Sequence, residues 1–411
     1  MERRVVVSGA GILSPVATGR DSNWDALFRG ATGFGPITIF DTAPFNVHIG
    51  GEIRDFDPVV FLGKKGLRDM DRSTRLVCAA AHLALDDARL QISDDNSHST
   101  GVAIGTTFGS LHSISQFDLQ GLREGPRYVN PSHFPNTVIN SPASRVSIRF
   151  QIKGFNATIS TGFCASLDAI CYASDFIRLG RALTVLAGGV EELCEETFLA
   201  FHTLGFLSGS DGAEPICCPF DSRRNGIILS EGAGILVLED STHALRRGAE
   251  ILAAVRGYGN SFDASSGTDS PKGGAGLEEA IRIALRDASL SPGDIDYISS
   301  CANSTKRLDR METRVIKKVF GKHSYQIPVS SINSMLGESF SASGSLSMIS
   351  ALGALRTGFV PPTMNYREKD ADCDLDYVAN SPQRKDLKNV LVLSSDPYGN
   401  NAAIILGNFG G

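Results

Sequence analysis

The feature that most limits the fold is an alternation of short apolar strand-like runs with helical stretches, which occurs twice along the chain. Residues 4–11, 101–105, 184–189 and 235–238 read as buried strands. Between them, residues 74–90 have helical spacing and carry Ala79, Ala80, Ala81, Ala84 and Ala88, and residues 165–179 are apolar around most of a helix. The second series runs from a strand at 251–257 through an amphipathic helix at 276–288, a turn at 289–294 and a strand at 295–300 to strands at 390–395 and 402–407. Strands this short and this apolar require helices on the faces of a parallel or mixed sheet, so an α/β fold is expected. The two series follow one another without a polar linker. This predicts one body of two pseudo-duplicated halves, 1–250 and 251–411, with no short-period repeat.

Composition removes several function classes. At 411 residues, 42% hydrophobic and 20% charged, the chain can bury a large core. A net charge of -6 argues against a nucleic-acid surface. An acidic partner would need a local basic patch, and Arg223-Arg224 and Arg246-Arg247 are the candidates. The eight cysteines are scattered, with no CxxC pair, and are read as reduced thiols of a cytoplasmic protein. Met1–Val7 runs directly into a strand with no apolar h-region, so no signal peptide is expected, and no apolar run is long enough for a membrane span. Gly9-Ala10-Gly11 lacks the third glycine and the downstream acid of a dinucleotide loop and is read as a structural turn. No metal, redox-cofactor or nucleotide ligand spacing appears, so no cofactor is expected.

Cys164 is the candidate nucleophile. It stands in Ser160-Thr161-Gly162-Phe163-Cys164-Ala165-Ser166, directly before the helix at 165–179. A helix N-terminus lowers a thiol's pKa through its unpaired N–H groups, and the same groups can hold an oxyanion.

Several segments, in order and from end to end, resemble the β-ketoacyl-acyl-carrier-protein synthases. They include Val5–Gly11, Leu186-Ala187-Gly188-Gly189-Val190-Glu191, Pro219-Phe220-Asp221-Ser222-Arg223-Arg224-Asn225-Gly226, Glu231-Gly232-Ala233-Gly234, Pro361-Pro362-Thr363-x-Asn365 and Cys373–Val378. The resemblance implies the thiolase fold, five αβαβα layers in two similar halves. It also implies a dimer and an acyl carrier protein as partner, with Cys164 as the residue that carries the acyl group.

The resemblance departs at the chemistry. The family's first histidine, in Ala-His-Gly-Thr-x-Thr, aligns with Cys301 in Ser300-Cys301-Ala302-Asn303-Ser304-Thr305. The second, after Ser-x-Lys-Ser-x-x-Gly, aligns with Glu338, and the lysine with Asn333. Asp309 and Glu312 match the acidic positions downstream of the first motif. The family's glycine-rich gate aligns with Ser394–Ala402, so Tyr398 takes the place of the gating aromatic, and Gly399, Asn400 and Asn401 fall where backbone amides form the oxyanion hole. Phe163 is bulkier than the small residue usual before the cysteine. His112, His133 and His202 match no motif position, and His133 and His202 are the first places to look for another imidazole.

In the family, two imidazoles donate to the malonyl thioester oxygen while carbon dioxide leaves. A carboxylate repels the resulting enolate and a thiol donates weakly, and each lost donor costs about 3 kcal/mol. Decarboxylative condensation is therefore expected to be impaired. Three readings remain. In an atypical acyltransferase, Cys164 takes an acyl group and Glu338 is the general base. In a partner subunit of the chain-length-factor kind, the chain pairs with a separate ketosynthase. In a carrier-binding or structural protein, the substitutions are drift. The dimer is a homodimer in the first reading and a heterodimer in the second. Each site residue also has a structural reading: Glu338 in an ion pair, Cys301 as packing, Asn303 and Asn333 as loop amides.

Overall fold

The computed structural model describes residues 3–264 and 273–410; the expectation for Met1 and Glu2 lies outside them. In the first half, β1 (Val5–Ser14) is followed by helix α1 (Arg72–Asp87), β2 (Thr100–Gly105), β3 (Asn156–Ile159), helix α2 (Ala165–Arg178), β4 (Thr184–Glu191) and β5 (Gly232–Asp240). The second half repeats the sequence: β6 (Ala253–Phe262), α3 (Ala275–Ala288), β7 (Tyr297–Ser299), α4 (Lys306–Phe320), β8 (Val329–Ser330), α5 (Ser343–Thr357), β9 (Asn389–Ser395) and β10 (Asn400–Gly407).

Strand order makes the duplication explicit. The first sheet runs β3-β2-β4-β5-β1 and the second β8-β7-β9-β10-β6. In each, the first two pairings are parallel and the next two antiparallel. The sheets join where Val5–Val7 of β1 pair with Ala253–Val255 of β6. Leu167 and Ile170 of α2 and Ile349 and Leu352 of α5 share one core between the sheets. The alanines of α1 cover the outer face of the first sheet, and Leu277, Ile281, Val315 and Ile316 of α3 and α4 cover that of the second. This is the five-layered thiolase-like fold.

The glycines of residues 4–11 are not a turn, contrary to the expectation above. β1 continues through them to Ser14. A methyl group on Gly9 would come within 2.6 Å of Ala84 O, and one on Gly11 would collide with Ala80 O. Gly257 and Gly259 of β6 stand in the same relation to Ala284 and Ala280 of α3, the first again at 2.6 Å. Glycine in the strand and alanine in the helix let backbone approach backbone in both halves, which also accounts for the alanine-rich α1.

The strand expected at 295–300 shortens to β7, because the chain leaves the sheet before Ser300 to form the loop that carries Cys301. The sequence reading has no counterpart for α5. Its residues are Ser343, Gly344, Ser345, Ser347, Ser350 and Gly353 among apolar ones, buried on all sides, so no amphipathic period marks it. No helix among the described residues is long and apolar enough to cross a membrane. None of the eight cysteines is bonded to another.

Candidate active site

The site lies where α2 and α5 begin, side by side in the central layer. Each is entered through a single 3-10 turn, Gly162–Cys164 before α2 and Phe340–Ala342 before α5. Ser166 Oγ accepts from Ser345 N at 2.9 Å and ties the two first turns together. Cys164 is wholly buried.

The first turn of α2 brings Asp168 beneath the thiol. Four residues on, it shares the helix face of Cys164. Asp168 accepts from the Thr161 hydroxyl and from Asn260 of β6. Burial pushes its carboxyl up to about 6, against both hydrogen bonds. A second carboxylate comes from the chain between β9 and β10. Asp396 Oδ1 accepts from Tyr398 N at 2.9 Å and Asn400 N at 3.0 Å, and Oδ2 from Asn400 Nδ2 at 2.8 Å. Gly162, at φ +57°, lies so close that a methyl group there would strike Asp396 Oδ2.

These groups decide the state of the thiol. Burial pushes Cys164 well above its ordinary value, and Asp168 and Asp396 push the same way. Hydrogen bonds from Ser394 and from the N–H of Ala402 act against them but are smaller. Burial and the two carboxylates thus oppose the thiolate that a helix N-terminus favours.

Across from it, the structure brings Phe163, Cys301, Asn333 and Glu338 to one cavity, together with Ser343 and Ser394. Its volume is about 10 Å³, room for about one water and for no acyl chain. Glu338 is 3% exposed. One oxygen accepts from Phe340 N at 2.9 Å and the Ser343 hydroxyl at 2.8 Å, the other from Asn303 Nδ2 at 2.9 Å. Burial raises its carboxyl above the ordinary value, despite these three bonds. Phe340 sits at φ +48°, a strained setting for a bulky residue, and the hydrogen bond that its N–H donates to Glu338 helps hold it there. Asn333 Nδ2 donates to Ala302 O at 3.2 Å, and Asn303 Oδ1 accepts from the Thr305 hydroxyl. Both amides stabilise loops.

Phe163 does not face an open entrance. Its ring packs tilted, at 55°, against Phe340 at 5.0 Å, and Phe340 in turn meets Phe201 at 4.8 Å and, edge-on, Phe108 at 5.5 Å. Tyr398, expected as the gating aromatic, is 55% exposed and does not line the cavity. The tight turn that Asp396 caps carries the tyrosine outward. Gly399 and Asn400 belong to that turn rather than to the cavity wall.

No histidine lines the cavity. His202 bonds Asn46 at 2.6 Å, His112 pairs with Glu196, and His133 lies against Asn130 on the surface. Among the described residues, no group of three His, Cys, Asp or Glu is placed to hold a metal ion. Asp309 and Glu312 support the Cys301 loop from below. Asp309 accepts from Asn303 N and Phe220 N, and Glu312 accepts from Cys301 N and the Ser300 hydroxyl. Arg224 is spent in the same way: fully buried, it pairs with Asp309 at 3.4 Å and Asp370 at 2.8 Å. Arg223 lies on Asp221 and Arg247 on Glu239, so the first arginine pair expected from the sequence is held by acids and, of the second, Arg246 is the exposed member. Lys64, Lys65 and Arg68 are exposed, with Arg149 bonded to Lys65 O beside them.

The sequence reading missed Asp168, Asn260 and the aromatic cluster around Phe340. The i, i+4 spacing of Cys164 and Asp168 is the one local signal for any of them.

Comparison with known proteins agrees with this architecture. The family profile "Beta-ketoacyl synthase, N-terminal domain" matches residues 2–244, and "Beta-ketoacyl synthase, C-terminal domain" matches residues 252–367. The "3-oxoacyl-[acyl-carrier-protein] synthase 2" of Coxiella burnetii is 35% identical over 407 residues, 98% of each chain. Among solved structures, "The ishigamide ketosynthase/chain length factor" superposes with a TM-score of 0.93 at 35% identity over the full length of both chains. "AntDE:AntF (apo): type II PKS acyl-carrier protein in complex with its ketosynthase bound to the hexaketide" gives 0.91 at 31%, also over both full lengths. A thiolase-like fold with a cysteine at the start of its central helix and full-length similarity of this order leads to one conclusion: the chain belongs to the β-ketoacyl synthase family of fatty acid and polyketide biosynthesis.

Proposed function

We propose that this chain is the non-condensing partner subunit of a ketosynthase heterodimer, acting with an acyl carrier protein. The observation that carries the reading is the closed site. A buried thiol whose ionisation is opposed by burial and by Asp168 and Asp396 stands beside a cavity of about 10 Å³ with no imidazole in its wall. Condensation requires a thiolate, room for two acyl groups and N–H donors to an enolate oxygen. Cys301 and Glu338, at the positions aligned with the family's histidines, supply a weak donor and an acceptor. One of the similar structures bears the name of a ketosynthase and chain length factor together, which fits a chain of this kind. The exposed Lys64, Lys65 and Arg68 offer an acidic carrier a basic surface on a chain whose net charge is negative.

The acyltransferase reading has less support. Three of the roughly four acceptor sites of the Glu338 carboxylate are taken by fixed donors, Asn303 Nδ2, Phe340 N and the Ser343 hydroxyl, which hold it as part of the turn.

The test combines two mass measurements. The chain is coexpressed with a ketosynthase that has both histidines and examined by native mass spectrometry, and the purified chain is incubated with acyl-carrier-protein thioesters. A 1:1 heterodimer and an unmodified Cys164 are expected. A stable homodimer that gains an acyl group, lost in Cys164→Ala, would overturn the proposal.

A further inference from the structure

An acyl chain on Cys164 would need apolar space leading away from its sulfur. The small cavity beside the thiol does not offer it. Six of its ten wall residues are polar: Asn333, Glu338, Ser343, Ser347, Ser394 and Ser395. The apolar direction lies past Phe163. Among the described residues, Phe163 alone both lines this cavity and belongs to a separate apolar cluster that includes Leu193, Phe198, Phe201, Leu229 and Phe340.

The cluster is continuous from the neighbourhood of the thiol to the surface. The Phe163 ring lies 5.0 Å from that of Phe340, Phe340 lies 4.8 Å from Phe201, and Phe201 lies 6.0 Å from Phe206, which is exposed. Phe163 itself is buried, and its carbonyl accepts from the Ser394 hydroxyl at 3.0 Å. That bond fixes the backbone from which the ring projects. The ring therefore stands at the boundary between the polar cavity and the row of aromatic side chains.

We infer that Phe163 is the residue that denies Cys164 an acyl chain: its ring occupies the place where a straight chain would run from the sulfur into the aromatic cluster. The inference rests on the closed-site reading above and deepens it. It makes packing at one residue, apart from the missing imidazoles, the barrier to acyl binding. Truncating the ring leaves an apolar space, because packing around a removed side chain relaxes only in part, and Phe340 becomes the next wall of that space.

The test treats the full chain, alone or in its dimer, with iodoacetamide and separately with N-hexyl-iodoacetamide, and reads Cys164 by peptide mass spectrometry. In either reaction the sulfur displaces iodide, an S–C bond forms and the thiol proton passes to solvent. The wild type should give the longer reagent no advantage. In Phe163→Ala the N-hexyl reagent should react at least about tenfold faster than iodoacetamide, since each methylene that finds an apolar site favours binding by about fourfold. Phe198→Ala removes a ring elsewhere in the same cluster, where it meets Phe40 and Phe45. It should keep the wild-type ratio, which separates opening of the site from general loosening. If Phe163→Ala does not fold, Phe163→Val gives the same reading in weaker form. The inference is overturned by a wild type that already prefers the longer reagent, by Phe163 variants that keep the wild-type ratio, or by an equal gain in Phe198→Ala. Each of these leaves the closed-site reading standing, whereas acylation of wild-type Cys164 by carrier thioesters defeats both.

Discussion

The side-chain amide of Asn303 donates to Glu338 at 2.9 Å, joining the loop that follows β7 to the turn that opens α5. Glu338 thus accepts from three donors and has no cationic partner among the described residues. Glu338→Ala would leave the Asn303 amide, the Ser343 hydroxyl and the Phe340 N–H without an acceptor and release Phe340 from its strained setting. A loss of about 3 kcal/mol is expected in urea unfolding. Glu338→Gln, which keeps the shape but turns one acceptor into a donor, should cost about 1 kcal/mol. Equal stability of wild type and both variants would show that the carboxylate is not holding the turn.

Reactivity of Cys164 reports directly on the closed site. Iodoacetamide at pH 7.5 should alkylate Cys164 in the native protein about a hundredfold more slowly than in the unfolded chain, since burial and two carboxylates suppress the thiolate. Asp396→Gly removes one carboxylate and the group lying on Gly162. It should raise the labelling rate about tenfold. Peptide mass spectrometry resolves Cys164 from the other thiols, and an unchanged rate would rule out Asp396 as part of the closure.

Much of this architecture is legible in the sequence because buried strands leave apolar runs and α1 and α3 leave a helical period. Cys164, Cys301 and Glu338 are legible by their order within segments that resemble the family. The state of the site is not. Asp168 and Asp396 matter through burial beside one thiol, and Asp396 comes from a loop more than two hundred residues away from it. The open or closed condition of a cavity depends on how the rings of Phe163, Phe340, Phe201 and Phe108 pack edge-on and tilted against one another, which no local pattern encodes. Tyr398 shows the converse: its position in the sequence suggests a gate, and a capped turn points it to solvent.

Glu192 should make stability fall as pH rises. Its oxygens accept from Ser73 N at 3.0 Å and His112 N at 3.4 Å, and burial, with Asp71 adding to it, pushes its carboxyl up to about 8. A raised folded-state pKa means that the protonated form contributes stability below the unfolded value, near 4.5, and that this contribution is lost as pH climbs through 8. The slope is at most about 1.4 kcal/mol per pH unit for one group. Glu191 and Glu312, each pushed up to about 7 by burial, act in the same direction at lower pH. Unfolding midpoints should therefore drop between about pH 4.5 and 8 and level off above it, and Glu192→Gln should flatten the part of the fall nearest pH 8. A wild-type midpoint that rises over this range would contradict the assignment.

The matched glycine contacts in the two halves make a last prediction that tests the duplication itself. In Gly11→Ala the new methyl meets Ala80 O of α1, and in Gly259→Ala it meets Ala280 O of α3. In neither case is the obstacle a flexible side chain. Each is a helix backbone fixed by its own hydrogen bonds, so α1 or α3 must move off its sheet and lose packing along its length. Each substitution should cost about 3 kcal/mol, at the upper end of what overpacking a core produces. The two losses should be similar, because the same strand–helix contact is made twice. Gly248→Ala, at φ +69° with nothing near the added methyl, is the control: it carries only the backbone strain, about 1 kcal/mol. If Gly11→Ala and Gly259→Ala are no worse than this control in chemical unfolding, the close strand–helix packing assigned to both halves is wrong.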